Sequence, residues 1–300
     1  MARTRFPPDH RLSRRMMVTM FLLGLLYVAF VGVILAVSRS ALLALVLAGG
    51  FLLVQYFASD RIALFAMGGH EVTPQQAPRL HAIIDRLCAL ADMRKPRVAI
   101  ADVDLPNAFA TGRDPDHAVV CVTTGLLRRL DEPEVEAVLA HELSHVAHRD
   151  VAVMTIAGFL GIAAGFLVRM TLYSGMYGGR RGREGGAPVI LVVMLVSAAV
   201  YAISFLLTRA LSRYRELSAD RAGAVLTGRP STLASALVKI SGEMSRIPTR
   251  DLRKAEPLNA FFLVPALAEG FSLSSLFSTH PRLEQRLDNL ARMERDMGRA

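Results

Sequence analysis

The residues His141-Glu142-Leu143-Ser144-His145 combine two imidazoles and a carboxylate at a spacing that suits metal-assisted hydrolysis. On a helix, positions four apart share a face, so His141 and His145 can bind one zinc ion. Glu142 beside them can take the proton of a water that attacks a peptide carbonyl. Catalytic zinc takes three protein ligands and keeps one position open. The third ligand must come from elsewhere in the chain. Glu216 is the best candidate, in the run Ser212-Arg213-Tyr214-Arg215-Glu216-Leu217-Ser218-Ala219-Asp220. Asp220 lies four residues later, on the same helical face. It can accept a hydrogen bond from a ligand histidine and fix its tautomer. Helical glutamates are usually solvated, so the pattern alone leaves Glu216 open between ligand and surface charge. His148 is seven residues from His141 and reads as packing, or as support behind the ligands, rather than as a ligand.

These residues need helices to hold them. Asp131-Glu132-Pro133-Glu134 is a helix start, with a capping acid, proline in the first turn and acidic residues at the positive helix end. No glycine or proline follows before Gly158, so the sequence predicts one helix running from there into the next apolar segment. Upstream, Leu80, Ile83, Ile84, Leu87 and Cys88 recur at helical spacing between Pro78 and Met93. Val98-Ala99-Ile100 and Val119-Val120-Cys121-Val122 read as short strands, with a turn at Asp114-Pro115-Asp116. Thr123 or Thr124 can cap a short helix to Leu130. Downstream, one helix carries Glu216 and Asp220, Ser231 caps another, and Pro281 begins a charged C-terminal helix. The fold class expected is α+β and mainly helical.

The remaining sequence points to a bilayer. Of 300 residues 52% are hydrophobic, and the mean hydropathy of +0.37 reflects apolar residues gathered in blocks. Met16 to Val37 and Ala41 to Ala58 form one hydrophobic hairpin; Val151 to Val168 and Pro188 to Leu207 form a second. Arg3, Arg5, Arg11, Arg14 and Arg15 precede the first hairpin, opposed by Asp9 alone. The positive-inside rule places this end in the cytoplasm. The second hairpin encloses the basic, glycine-rich loop Gly178 to Gly186, which faces outward if both segments span. Spanning is the favoured reading over a re-entrant hairpin. Either way the chain leaves and re-enters on one side, so residues near 145 and 216 can share one metal. The net charge of +9 sits beside apolar blocks, which suits a lipid surface. The chain has no Trp and no aromatic-basic interleaving, which argues against nucleic acid. Cys88 and Cys121 lie in apolar patterns and read as buried thiols. The expected organisation is a basic cytoplasmic amino terminus (1–15), a transmembrane hairpin (16–58), a first catalytic part (59–150), a second membrane hairpin (151–209) and a second catalytic part (210–300).

The chain also carries, in this order, Asn107-Ala108-Phe109-Ala110, Val122-Thr123-Thr124-Gly125-Leu126-Leu127, the H-E-L-S-H run, Ser212 to Asp220, Asn259-Ala260-Phe261-Phe262 and Thr279-His280-Pro281. Taken together, these motifs resemble those of HtpX-type membrane zinc metalloproteases, related to the CAAX prenyl endopeptidases and of the gluzincin class. The resemblance covers nearly the whole chain after the first hairpin. It implies a zincin-like catalytic domain with one Zn2+ per chain, Glu216 as third ligand and Asp220 behind a ligand histidine. It implies that Asn107, Ala108, Phe109 and Ala110 form an edge strand to which an extended substrate adds by backbone hydrogen bonds. It implies that His280 stabilises the oxyanion and that Arg213 contacts substrate or holds Glu216. The implied partners are protein or peptide substrates, chiefly membrane proteins, cut on the cytoplasmic side in quality control and stress response. The implied setting is a multi-pass protein of a bacterial-type inner membrane. Maturation of one lipid-modified or peptide precursor is the enzymatic alternative. A non-catalytic zinc scaffold is the alternative of another class, but structural sites are closed by four ligands. A transporter would need paired polar groups at mid-membrane, whereas Arg169 is the single charge near a span.

Overall fold

The computed structural model describes residues 9–37, 50, 53, 57, 61, 64–65, 67–150, 153, 183–246 and 281–298. Most of the second and third apolar segments, the Asn259 to Phe262 run and His280 lie outside these residues. The chain divides into two units, one of residues 1–12, 58–152 and 212–300, the other of residues 13–57 and 153–211.

Among the described residues of the second unit, α1 (His10–Val37) and the first part of α5 (Arg183–Thr227) are the long helices. The helix α5 begins at Arg183, inside the stretch expected to be a loop, ahead of Pro188. Leu23 and Phe30 pack with Val200, joined by Leu26, Tyr27, Val196 and Leu207. The outward faces are apolar too: Met17 is 71% exposed and Val28 70%. Side chains of this kind in a continuous stripe suit hydrocarbon rather than water. Among the described residues, two segments are long and apolar enough to cross a membrane, within His10–Gly32 and Met194–Thr227.

In the first unit, β1 (Gly69–Glu71), β2 (Arg97–Ala101), β3 (Ala108–Thr111) and β4 (Val119–Thr123) form one mixed sheet in the order β1-β2-β4-β3. Strands β2 and β4 pair in parallel from Arg97↔Val119 to Ala101↔Thr123; β1 and β3 run antiparallel to their neighbours. All five residues of β4 are buried, which is why its apolar run shows no alternation. Strand β3 is an edge. Helix α2 (Pro78–Ala91) lays Leu80, Ile83, Ile84, Leu87 and Cys88 into the core. Its end at Asp92 is left-handed, with φ 53°. Thr123 caps α3 (Thr124–Arg129) by accepting the Leu126 N–H at 3.2 Å.

Helix α4 (Glu132–Ala147) is the centre of this unit. Its start is clamped from two sides. The Asp131 N–H donates to Glu134 Oε2 at 3.0 Å, while Ser235 Oγ and Lys239 Nζ of α6 (Pro230–Arg246) donate to the same carboxylate at 2.7 and 2.8 Å. Burial opposes ionisation of Glu134, but these three donors outweigh it and hold its pKa below the usual value. The end of α4 differs from the expectation. The helix stops at Ala147 instead of continuing into the apolar segment, and Arg149 is left-handed at φ 58°. A left-handed non-glycine residue costs roughly 1–2 kcal/mol. The turn brings Asp150 back against the last helical turn, where it meets two partners described below.

The last part of α5 crosses α4 at Gly223, where an added Cβ would lie 2.9 Å from His141 N and 3.1 Å from its Cα. Only a hydrogen fits there. Glu216, Asp220 and Gly223 follow at helical spacing, so the face that touches α4 is also the face that carries the carboxylates. Helix α7 (Leu283–Met297) packs on α6 and buries Arg286 and Leu290.

Candidate metal site

His141 and His145 lie one turn apart on α4, and Glu216 reaches them from α5. Their Nε2 atoms are 3.3 Å apart. Glu216 Oε2 is 3.6 Å from His141 Nε2, and its Oε1 is 3.5 Å from His145 Nε2. A tetrahedral zinc with bonds of about 2.0–2.1 Å separates its ligand atoms by roughly 3.3–3.5 Å. Taken to the two oxygens of one carboxylate, these separations are close to that spacing; one ligand atom of each residue lies within 4.8 Å of the others, near enough to share one ion, and all three residues are buried.

The outer nitrogens decide which way the inner ones point. His145 Nδ1 is 2.7 Å from Asp150 Oδ2, so its proton belongs there and its Nε2 lone pair faces the triangle. His141 Nδ1 makes a close contact of 3.0 Å with Asp220 Oδ1, an ion-pair distance rather than a linear hydrogen bond. Behind each carboxylate stands an arginine. Arg215 Nε is 3.1 Å from Asp150 Oδ2. Arg286 grips Asp220 with two bonds, Nε to Oδ2 at 2.8 Å and Nη2 to Oδ1 at 2.6 Å, and its Nη1 is 3.8 Å from Glu216 Oε2.

Charge gives an independent test of fit. Glu142, Asp150, Glu216 and Asp220 are buried around the triangle, with Arg215 and Arg286. Four carboxylates against two guanidinium groups leave two negative charges when the imidazoles are neutral. A divalent cation cancels them. The site otherwise draws protons: burial disfavours a charged His141, yet Asp220 and Glu216 push its pKa up to about 9. Glu142 is also raised, first by burial and further by Glu216, against the lowering effect of the two histidines. Asp150 is penalised by burial, but Arg215 and His145 hold it below the usual range. This donor set fits a metal ion.

The edge strand completes the site. The Ala110 N–H donates to Glu142 Oε2 at 3.0 Å, fixing the carboxylate beside the ligand triangle. Asn107 precedes the strand; its N–H donates to Thr123 Oγ1, and its carbonyl accepts the Thr123 N–H, both at 2.9 Å. Ala108 lies on β3, and the Phe109 side chain is in the core, so this run meets the cleft through its backbone at Ala110. Arg213 is partly buried on α5, three residues before Glu216. His148 bonds the Ser144 carbonyl through Nδ1 at 2.8 Å. His280 lies outside the described residues.

Three residues of the site, Asp150, Arg215 and Arg286, are not visible as such in the sequence. Asp150 looks like the polar limit of a helix that meets an apolar run. Arg215 looks like one of several helical arginines. Arg286 sits in a helix so charged that it reads as solvated, yet it is 2% exposed.

Comparison with known proteins identifies the family. Residues 74–294 match the model of peptidase family M48. The chain is 59% identical to "Protease HtpX homolog 1" of Streptomyces coelicolor over 297 residues, covering 99% of this chain and 97% of that one. It is 54% identical to the "Protease HtpX homolog" of Moorella thermoacetica over 290 residues, 96% of each chain. Among solved structures, the fold is similar to the crystal structure of S. mikatae Ste24p, with a TM-score of 0.52 at 18% identity, covering 94% of this chain and 67% of that one. The chain belongs to peptidase family M48 and is an HtpX-type metalloprotease.

Proposed function

We propose that the protein is a zinc-dependent endopeptidase of the membrane, with His141, His145 and Glu216 as ligands and Glu142 as general base. The observation that carries this reading is the convergence of three buried ligand atoms beside a fixed carboxylate. Two nitrogens and one carboxylate oxygen are the donor set of a catalytic zinc with an open position. Bound zinc would supply Lewis-acid polarisation of a peptide carbonyl and acidify a water.

The residues of the chain supply the rest. Glu142 takes the proton of the attacking water and returns it to the leaving amine. Its raised pKa suits both halves of that cycle, since a buried carboxyl holds a proton more readily than a solvated one. Asp220 and Asp150 keep the imidazoles oriented. Strand β3 offers an edge on which an extended substrate segment adds as a further strand. His280 serves as an oxyanion donor and Arg213 as a substrate contact. The substrates are exposed or misfolded segments of membrane proteins, cut on the cytoplasmic side in quality control. The catalytic parts are residues 59–150 and 210–300, held by membrane hairpins at 16–58 and 151–209.

The test is loss and recovery. Detergent-solubilised protein is stripped with a chelator, and cleavage of unfolded casein is followed as Zn2+ is returned. Activity that disappears on stripping and recovers fully at one equivalent supports the reading. Undiminished cleavage by the stripped protein contradicts it.

A further inference from the structure

Each histidine of the triangle is backed by a carboxylate, and each carboxylate by a buried arginine. The His141 arm runs through Asp220 to Arg286. The His145 arm runs through Asp150 to Arg215. The second arm is built from a helix end that had to be broken to make it. Helix α4 stops, Arg149 turns left-handed, and Asp150 becomes 1% exposed, with Oδ2 within 2.7 Å of one partner and 3.1 Å of the other. Arg215 is itself buried, so its charge is compensated locally rather than by water.

We propose that Asp150 and Arg215 are positioning residues of the metal site: Arg215 holds Asp150, and Asp150 holds the His145 ring with its Nε2 lone pair on the metal. Arg286 does the same through Asp220 for His141. The proposal rests on His141, His145 and Glu216 binding a metal. One helix therefore carries both roles: Glu216 of α5 meets His145 at Nε2, and its neighbour Arg215 meets Asp150, which contacts His145 at Nδ1. Buried carboxylates need such partners, because a lone charge in the interior is costly and nothing else fixes where its oxygens lie. Loss of a group that orients a metal-binding histidine weakens metal affinity by about 10–100-fold.

The experiment measures metal affinity by competition with a chromophoric chelator. It also records the visible absorption of the Co2+-loaded protein, which reports ligand geometry. The proteins are the original chain, Asp150→Asn, Arg215→Gln, their double variant, Arg286→Gln, Arg215→Gln combined with Arg286→Gln, and Arg215→Lys. Asp150→Asn and Arg215→Gln are each expected to bind about tenfold more weakly, with an altered Co2+ spectrum. Their double variant should be no weaker than the worse single one, because both act on His145. Combining Arg215→Gln with Arg286→Gln should multiply the losses, because the arms serve different rings. Arg215→Lys, which keeps the charge, covers the case in which Arg215→Gln does not fold; it is expected to recover part of the affinity. Unchanged affinity and spectrum in Asp150→Asn and Arg215→Gln would overturn the proposal, as would full additivity within one arm. If the original chain bound no metal, the metal-site reading itself would fall instead.

Discussion

His141 shows how the site is balanced. Its ring sits between two carboxylates, which stabilise a proton there until a metal replaces it. The pKa of about 9 is raised from the ordinary value, so at pH 7 the imidazole carries a proton that metal binding must displace. Zinc affinity should therefore rise about tenfold per pH unit from 7 and level off near 9. Titration calorimetry in buffers of different ionisation enthalpy checks this by counting released protons. Affinity independent of pH in this range would mean that the ring is already neutral. Glu216 makes a second prediction at this scale. Glu216→Gln keeps the shape but removes a charge from the triangle, so zinc content should fall while the fold persists, as read by metal analysis and circular dichroism.

At the scale of elements, the helix pair α4 and α5 carries the whole donor set, and Gly223 sets its spacing. Gly223→Ala places a methyl against the backbone of His141 and must push the helices apart. Overpacking of this kind costs roughly 1–3 kcal/mol, and here it also moves Glu216 and Asp220 away from the histidines. A lower melting temperature with weaker zinc binding is expected; a variant with both unchanged would show that the helices have slack. The other end of α4 is held by Glu134. Its pKa is lowered in the fold, so its contribution to stability is present above the unfolded value near 4.3 and is lost as pH falls through the folded value. Glu134→Gln should cost about 1–3 kcal/mol at neutral pH and flatten the acid side of the stability curve. Thermal unfolding between pH 3 and 7 checks it.

These elements also show what the sequence carries. The H-E-x-x-H spacing, the start of α4 and the buried face of α2 are local patterns, fixed by helix geometry within a few residues. Strand β4 is equally legible as an apolar run between turn residues. The end of α4 is not, because its left-handed residue is an arginine and no glycine or proline marks the stop. The pairing of Arg286 with Asp220 spans 66 residues and depends on how α7 docks, which no local pattern records. The extension of α5 back to Arg183 is hidden for a similar reason: its glycines favour a loop, but the helix that follows prolongs itself through them.

At the scale of the molecule, the unit that holds His141, His145 and Glu216 is built from segments on both sides of residues 153–211. An even number of membrane crossings in each hairpin would keep those segments in one compartment. Cysteines introduced at Ala2 and Gly298 should then escape a membrane-impermeant maleimide in intact cells, while one at Gly179 should react. The buried Cys88 and Cys121 give little background. Protection at Gly179 would favour a hairpin that dips into the bilayer without crossing it. The central claim is hydrolysis with Glu142 as base, and Glu142→Gln tests it most directly. Zinc-loaded original and variant proteins of matched metal content are compared on unfolded casein. The account predicts equal zinc content and a loss of cleavage of at least about 10²–10⁴-fold in the variant; cleavage at the original rate would contradict it.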